Sequence, residues 1–353
     1  MKVAVFGVGN VGSRIVGYLK HCQEVGAIVA CDPREEALNR IRDEERVAVT
    51  ASAEDVFSDP QVKLVFITAV NDAHMDLSMR AMASGKAVMC EKPMVITLGD
   101  SKEMTEAAAR YGGFLQIGLE LRYSKLYMQI KHWIGQGLLG TIVNMHCNYI
   151  SSAYPISEWG TKKQASGGLF VHKLCHYADL FRWWTGDEVS EIYSVSAPNV
   201  IPYYNVRDNY HSICRFRNGA VGHLTFIMAQ AATFRRDLSG DVIEQQRGDG
   251  HDMRLNIVGT KGAAETDIFS RTIKRWEFGE SPEGFTSDLV ETLTWPAKDD
   301  FLYYHNMEDQ TRDIVRRVSK GLPPSISPED AYQTMRLCYA ADESADTGKV
   351  VYL

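Results

Sequence analysis

The first twelve residues contain the feature that most limits what this chain can fold into. A short apolar run, Lys2–Phe6, is followed by glycines in the spacing G-x-G-x-x-G and then by a segment with helical character. In this arrangement the first glycine permits a tight turn, the second lets a pyrophosphate approach the backbone, and the third lets helix and strand pack closely. The amino terminus of the helix then faces the phosphates. Because strand, turn and helix occur in the required order, the motif predicts a dinucleotide-binding loop rather than an ordinary strand–helix turn, formed by Gly7, Gly9, Asn10, Val11 and Gly12.

Asp32 bears on which dinucleotide this loop binds. It ends the second apolar run, Ala27–Cys31, at the distance from the glycines where such sites carry an acidic residue. A carboxylate there accepts hydrogen bonds from the ribose hydroxyls and repels a 2′-phosphate, which favours NAD. Arg34 could instead bind a 2′-phosphate, so NADP stays open as the alternative cofactor.

Composition and charge exclude several classes of protein. The 353 residues, 45% of them hydrophobic, exceed what one core usually serves and predict two domains. A net charge of −7 and the absence of a basic run argue against nucleic acid and anionic membrane as partners. The seven cysteines form no C-x-x-C pair, which is typical of reduced core cysteines. No signal peptide precedes the first strand and no apolar run approaches the roughly 18 residues of a membrane span, so we expect a cytoplasmic protein.

Residues 1–121 alternate between strand and helix patterns. Strands are predicted at 2–6, 27–31, 47–49, 63–69, 86–90 and 114–118, and helices at about 13–21, 34–43, 53–57, 73–84 and 98–112. Such alternation predicts an α/β domain with a doubly wound parallel sheet, the Rossmann arrangement. Ligands of such sheets bind beyond the carboxyl ends of the strands.

Residues 122–353 form the predicted second domain. A helix at 123–134 precedes a strand at 141–150, and later strands are predicted at 189–196, 210–217, 220–228, 253–259, 263–268 and 272–279. Turns containing Gly join several of them, so these strands fit one larger antiparallel sheet. His305 begins a predicted helix that runs to Lys320; it could face the crevice, but we expect it to face solvent.

Glu91-Lys92-Pro93 follows the fifth strand, at the rim of the predicted crevice. Pro93 restricts the backbone of Lys92 to an extended or turn conformation. A lysine at this rim could donate a proton or hydrogen bond to a substrate oxygen, with Glu91 orienting it, or could simply balance charge. Its position favours the catalytic role.

A later segment places His172, His176 and Asp179 on one face of a predicted helix. Three titratable groups on one stripe of an otherwise apolar segment are unusual in a core. An imidazole with a pKa of about 6.5 can accept a hydroxyl proton near neutral pH, so His176 is the best candidate for a general base. Histidines four residues apart could also bind a metal, but no third ligand is evident and no metal is expected.

Together these motifs resemble the Gfo/Idh/MocA family, which includes glucose-fructose oxidoreductase and inositol dehydrogenase. The resemblance rests on the glycine turn, the Thr68…Asn71…His74 stretch, Glu91-Lys92-Pro93 and Gly167-Gly168…His176…Asp179. It implies a Rossmann domain followed by an α+β domain with an open, mostly antiparallel sheet, through which a homodimer or homotetramer assembles. It also implies hydride transfer between a nicotinamide and a sugar or polyol carbon.

The resemblance extends to individual site residues. It places Thr68, Asn71, His74, Glu91 and Lys92 at the cofactor. It places an arginine at the position of Arg122 near cofactor and substrate, with Tyr123 beside it, although a salt bridge at the domain hinge explains Arg122 equally well.

One position departs from the family pattern. Members typically carry Asp-x-Gly-x-His-x-x-Asp, with the first Asp and the His flanking the reacting carbon. His176 and Asp179 match, but His172 replaces the first Asp, and Lys173-Leu174 also differs. His172 could contact a different substrate, form a proton relay with His176, or bind a metal.

The polar loop that carries Trp159 and Lys163 is a candidate for substrate binding. An aromatic ring and a cation suit a sugar face and its hydroxyls, but both residue types are also common on surface loops.

We therefore expect an NAD-dependent oxidoreductase acting on a sugar, polyol or glycoside, with catalytic Lys92, His176 and His172. Two alternatives stay open. One is glycoside cleavage by transient oxidation and β-elimination on the same scaffold. The other is a non-catalytic cofactor-binding sensor, which the presence of Lys92 and His176 disfavours.

Overall fold

The computed structural model describes residues 1–156, 158–233 and 242–353, apart from the side chains of Trp159 and Val242. The chain forms two compact units. The first comprises Met1–Glu120 and Met307–Met335, and the second comprises Leu121–Asn306 and Arg336–Leu353. In the described residues, no helix combines the length and apolar character needed to cross a membrane.

The first unit contains a six-stranded sheet in which every pairing is parallel. Its strands lie in the order β3-β2-β1-β4-β5-β6, which is the doubly wound order predicted by the alternation of elements. Their side chains are largely buried, because helices cover both faces of such a sheet. The strands are β1 (Lys2–Phe6), β2 (Ala27–Cys31), β3 (Val47–Thr50), β4 (Val62–Ile67), β5 (Ala87–Cys90) and β6 (Leu115–Ile117).

Five helices connect these strands: α1 (Asn10–Lys20), α2 (Glu35–Asn39), α3 (Ala53–Phe57), α4 (His74–Ala83) and α5 (Leu98–Tyr111). The helix α1 begins at Asn10, three residues earlier than its sequence pattern predicts. Its first turn therefore lies inside the glycine motif.

The second unit is built on a nine-stranded sheet in the order β14-β13-β12-β11-β7-β10-β9-β8-β15. The pairing of β7 with β10 is parallel and the others are antiparallel, so the mostly antiparallel sheet is confirmed. The strands are β7 (Ile142–Ile150), β8 (Val189–Val195), β9 (Asn209–Phe216), β10 (Val221–Ile227), β11 (Asp252–Gly259), β12 (Gly262–Asp267), β13 (Thr272–Ser281), β14 (Gly284–Thr294) and β15 (Val351–Tyr352).

Burial alternates along β9, β10 and β11, so one face of this sheet is buried and the other faces outward. The second unit also contains the helices α6 (Lys125–Gly135), α7 (Lys163–Ser166), α8 (Cys175–Thr185), α9 (Val242–Gln246) and α10 (Asp300–Tyr303). On the outward face, cross-strand pairing aligns Tyr193, Ile213, His223 and His146, which we call the outward row. The rings of His146 and His223 are stacked with centroids 4.9 Å apart.

Two helices complete the chain, α11 (Met307–Ser319) and α12 (Pro328–Thr347). Ile314 and Val315 of α11 are fully buried in the core of the first unit. This packing is why Met307–Met335 groups with the first unit, whereas the sequence prediction assigned all of 122–353 to the second domain.

Candidate active site

The glycine turn at the end of β1 has the shape that a pyrophosphate needs. Gly7 has a φ of +84°, and a Cβ there would lie 2.6 Å from Ala69 Cα. At Gly12 a Cβ would lie 2.0 Å from the Gly7 carbonyl oxygen. A Cβ at Gly9 would meet nothing within 4 Å, so open space adjoins the backbone there. Close packing at Gly7 and Gly12 with open space at Gly9 fits a bound dinucleotide.

The helix α1 supplies hydrogen-bond donors beside this space. Gly9 is its N-cap residue, and Asn10 and Val11 form its first turn. The first N–H groups of a helix have no acceptor within the helix, and they carry the positive end of its dipole. Asn10 and Val11 can therefore donate to phosphate oxygens.

Asp32 is buried at the end of β2 and accepts several hydrogen bonds. Its Oδ2 accepts from Val8 N at 3.0 Å and Arg34 Nη2 at 3.0 Å, and its Oδ1 accepts from Arg34 Nε at 3.0 Å. The Asp32 residue is 1% exposed, whereas the Arg34 side chain is 67% exposed. Burial alone would raise the pKa of Asp32, but the hydrogen bonds from Arg34 and Val8 outweigh it and leave the pKa below its ordinary value. The carboxylate is thus charged at neutral pH.

The carboxyl ends of β1, β4 and β5 lie side by side. The Thr68 hydroxyl donates to the Gly7 carbonyl at 2.5 Å, so Thr68 holds the glycine turn. The backbone of Glu91 donates to the Ile67 carbonyl at 2.9 Å, which aligns the end of β5 with the end of β4. The structure thus brings the glycine turn, Thr68 and Lys92 to one edge of the sheet.

His74 joins the segments that follow β4 and β5. Its ring is buried, with Nε2 3.1 Å from the Ala69 carbonyl oxygen and Nδ1 2.9 Å from the Pro93 carbonyl oxygen. Burial lowers the pKa of His74, more than the two carbonyls raise it. This geometry supports the loop that carries Lys92. Asn71 is buried in the short turn before α4, and cofactor contacts by either residue remain predictions.

Lys92 is half-buried, and its neighbour Glu91 lies near the buried Glu120. The backbone N–H of Lys92 donates to Glu91 Oε2 at 3.2 Å. Gly118 makes room for the Glu91 side chain, since a Cβ there would lie 2.9 Å from Glu91 Oε2. Burial, and then the nearby Glu120 carboxylate, raise the pKa of Glu91 well above its ordinary value. Glu91 therefore holds its proton far more strongly than an exposed glutamate.

Arg122 forms an ion pair inside the second unit. Its Nε and Nη2 donate to the two carboxylate oxygens of Asp179, at 2.7 and 2.6 Å, with both side chains buried. Its guanidinium also lies 5.8 Å from the Trp183 ring centre. Arg122 thus makes a salt bridge, one of its two predicted roles, but within this unit. Tyr123 contributes its carbonyl, which accepts from Asn306 Nδ2 at 3.1 Å.

The helix expected to carry the reactive histidines starts with a π-helical turn at Phe170–Leu174, and α8 follows from Cys175. Hydrogen bonds of a π turn run from i to i+5, so its faces do not follow the α-helical period. Residues four apart still lie near one face across such a turn, so the shared face of His172 and His176 stays a prediction. His172 borders Gly160, where a Cβ would lie 3.7 Å from His172 Cδ2.

His176 is 4% exposed and lies next to a second imidazole. The rings of His176 and His305 meet edge to face, with centroids 6.3 Å apart. Tyr304 packs on His305 at 4.0 Å between ring centres, and its hydroxyl lies 2.7 Å from the Tyr177 hydroxyl.

Lys173 points into a cluster of aromatic rings. Its Nζ lies 4.8 Å from the ring centres of Tyr149 and Tyr154, 5.5 Å from that of Phe226, and 3.1 Å from Ser151 Oγ. Burial raises the pKa of both tyrosines, so the rings stay neutral. Neutral aromatic faces stabilise the ammonium group by cation–π interaction.

Lys163 lies elsewhere in the second unit. Its Nζ is 3.5 Å from an Asp346 carboxylate oxygen, at a polar cavity of about 350 Å³ that Arg207, Tyr210 and Asp342 also line. The side chain of Trp159, a predicted substrate contact, lies outside the described residues. In the described part of the chain, no group of three His, Cys, Asp or Glu side chains is arranged to hold a metal ion.

Sequence reasoning missed three residues that the structure places beside predicted ones. Glu120 lies in the run before Arg122, Lys173 appeared only as a departure from the family pattern, and His305 was predicted to face solvent. The burial of Glu120 and the aromatic surroundings of Lys173 produce no recognisable spacing pattern in a single sequence. His305, just ahead of an amphipathic helix, also looks like an exposed residue.

Comparison with known proteins identifies the family. Residues 1–119 match the family model described as an oxidoreductase family with an NAD-binding Rossmann fold, and residues 127–265 match the GFO/IDH/MocA C-terminal domain. The chain belongs to the GFO/IDH/MocA family. The predicted resemblance, the oxidoreductase class and the NAD-binding Rossmann domain are thereby confirmed.

Relatives in the GFO/IDH/MocA family match along the whole chain. The myo-inositol 2-dehydrogenase of Thermotoga maritima is 25% identical, covering 100% of this chain and 98% of its own length. The inositol 2-dehydrogenase of Salmonella typhimurium is 24% identical, covering 99% and 95%. The structure of Lactobacillus casei scyllo-inositol dehydrogenase with NAD(H) and scyllo-inositol has a TM-score of 0.78 at 18% identity, covering 100% and 98% of the two chains. That structural likeness shows the shared fold.

Proposed function

We propose that this protein is an NAD-dependent dehydrogenase that oxidises a hydroxyl-bearing carbon of a cyclitol or sugar. The observation that carries the proposal is the buried imidazole of His176, in a chain whose first unit has an NAD-binding fold. Alcohol oxidation needs a base that accepts the hydroxyl proton near neutral pH, and histidine suits that role. The full-length similarity to a myo-inositol 2-dehydrogenase supports the substrate class.

In this proposal the chain's own residues handle the cofactor and the proton. The N–H groups of Asn10 and Val11 hold the pyrophosphate, and Asp32 accepts from the ribose hydroxyls. NAD, when bound, supplies the hydride acceptor. Lys92 donates a hydrogen bond to the reacting oxygen. Burial raises the pKa of the neighbouring Glu91, so its carboxyl group offsets less of the ammonium charge than an exposed glutamate would. His176 accepts the proton of the hydroxyl group.

His172 favours one variant of this function. An imidazole in place of the family's aspartate can accept or donate a proton, as β-elimination from an oxidised glycoside requires. The second candidate is therefore glycoside cleavage, in which NAD is reduced and reoxidised within one turnover.

One screen separates these functions. Wild-type protein is mixed with NAD and with myo-inositol, scyllo-inositol, aldoses or aryl glycosides, while NADH absorbance is recorded and products are separated by chromatography. A dehydrogenase produces NADH in step with a ketone, whereas a glycoside-cleaving enzyme releases the aglycone without net NADH. Protein that binds NAD tightly but converts none of these compounds contradicts both and favours the sensor alternative.

A further inference from the structure

The segment that carries His305 is fixed in the second unit on both sides. The Ser124 hydroxyl donates to the Tyr303 carbonyl, and the Asn306 side chain donates to the Tyr123 carbonyl at 3.1 Å. His305 lies between these two anchors. Its position is therefore set by contacts of the backbone around it, independently of any ligand.

The two imidazoles of this site differ in their access to water. His176 is 4% exposed, whereas His305 is half-buried and reaches the surface. Their rings meet edge to face with centroids 6.3 Å apart, a separation that one bridging water can span for proton exchange. A buried base that receives a proton on every turnover must pass that proton to solvent before it can act again.

We propose that His305 is the relay through which His176 exchanges its proton with solvent. This inference rests on the proposed role of His176 as the base. In the forward reaction the substrate O–H bond breaks and its proton moves to His176, while the electron pair of the adjacent C–H bond leaves as hydride to the bound NAD. The proton then moves from the His176 imidazolium through one bridging water to the His305 ring, and from His305 to water or buffer, so both rings return to their starting state.

The neighbouring phenols do not offer an equivalent route. Tyr304 is hydrogen-bonded to Tyr177 at 2.7 Å and packs on His305, so it holds the relay ring in place. Burial raises the pKa of Tyr177 well above its ordinary value, which makes its hydroxyl a poor proton donor near neutral pH. An imidazole is the group in this cluster that both accepts and releases a proton in that range.

The direct test measures proton exchange at His176 without substrate. In full-length protein containing isotope-labelled histidine, the exchange rate of the His176 ring proton with water is measured by NMR, with its signal assigned from a His176→Asn variant. In His305→Phe, which keeps an aromatic ring, we expect the rate to fall about tenfold or more. His132→Phe, on the exposed face of α6, is the matched control and should change nothing. His305→Gln serves as a second variant, and thermal melting checks that each protein folds.

Turnover provides the second readout. With a substrate from the screen above, we expect His305→Phe to lower kcat more than it changes KM, and added imidazole or concentrated buffer to restore much of the loss. Unchanged exchange at His176 in both His305 variants would overturn the relay even in an active dehydrogenase. If no substrate reduces NAD, the proposed function fails, and the exchange rate still decides the relay.

Discussion

At the scale of single residues, we expect Asp32 to determine which of the two nicotinamide cofactors binds more tightly. The carboxylate is charged and buried, and its Arg34 partner is largely exposed beside it. A 2′-phosphate would meet that charge, so we expect NAD to bind more tightly than NADP. In Asp32→Asn the repulsion is absent and Arg34 no longer binds a carboxylate. The NADP dissociation constant divided by that of NAD should therefore fall by about tenfold. Fluorescence titration measures both, with Glu36→Gln as the control, and wild-type preference for NADP would contradict the assignment.

Lys92 carries the second prediction. If its ammonium group stabilises the reacting oxygen, Lys92→Met should lower kcat by about 100-fold while the dissociation constant of NAD stays unchanged. Lys63→Met removes an exposed lysine from β4 and should leave turnover intact. Steady-state kinetics and cofactor titration on both variants settle the role. Near-normal turnover in Lys92→Met would show that Lys92 only balances charge.

Glu91 and Glu120 make the stability of the first unit depend on pH. Burial, then the charge of Glu120, raise the pKa of Glu91 from 4.5 to about 8, so the folded state binds this proton more tightly than the unfolded chain. The stabilisation of the folded state by this proton is complete below pH 4.5, and it is lost as the pH rises to about 8. Glu120→Gln should therefore stabilise the protein at pH 8 by about 1 kcal/mol more than at pH 5. Melting curves at both values test this, and exposed Glu103→Gln should show no such difference.

How far the sequence predicts the site depends on the kind of residue. The glycine turn, Asp32 and Lys92 were predictable because each follows a buried strand whose end is visible in the sequence. Arg122 and Asp179 were both singled out, yet nothing in their spacing shows that they bind each other. The contact of His305 with His176 joins segments far apart in the chain, and only packing determines it.

At the scale of elements, the start of the π-helical turn depends on Gly168. Its φ is +108°, and a Cβ there would lie 2.7 Å from Asp342 Oδ2. Gly186, which ends α8, has a φ of +65° and open space around it. Gly186→Ala should cost about 1 kcal/mol from backbone strain alone, and Gly168→Ala about 2 kcal/mol or more because it also displaces a buried carboxylate. Urea unfolding measures both changes in the free energy of unfolding. Equal losses in the two variants would show that the Asp342 side chain moves aside without cost.

Strands with buried side chains were predicted more accurately than strands with exposed ones. The strands β1, β2, β4 and β5 were predicted to within two residues because their apolar runs are continuous. The strand β14 was missed because most of its side chains are exposed and give no alternation. The π-helical turn was missed because helical periodicity was assumed throughout.

At the scale of the whole molecule, we expect self-assembly through the outward face of the nine-stranded sheet. Ile213 in the outward row is 52% exposed, and Tyr193 beside it is also exposed, so the row offers apolar surface for a partner. Ile213→Lys should shift the protein from dimer or tetramer towards monomer, because a charge would be buried in the contact. Light scattering on a sizing column measures the mass, with exposed Val200→Lys on a loop as the control. A monomeric wild-type protein would contradict the expectation.

The packing of α11 in the first unit has a consequence for how the chain is made. As the ribosome releases β1 to β6, the apolar surface that Ile314 and Val315 will cover is still bare. Residues 121–306 must emerge before those two side chains exist, and most of the second unit consists of them. The first unit is therefore synthesised first but completed late. Through most of translation the nascent chain exposes part of the apolar core of this unit, where chaperones would bind it.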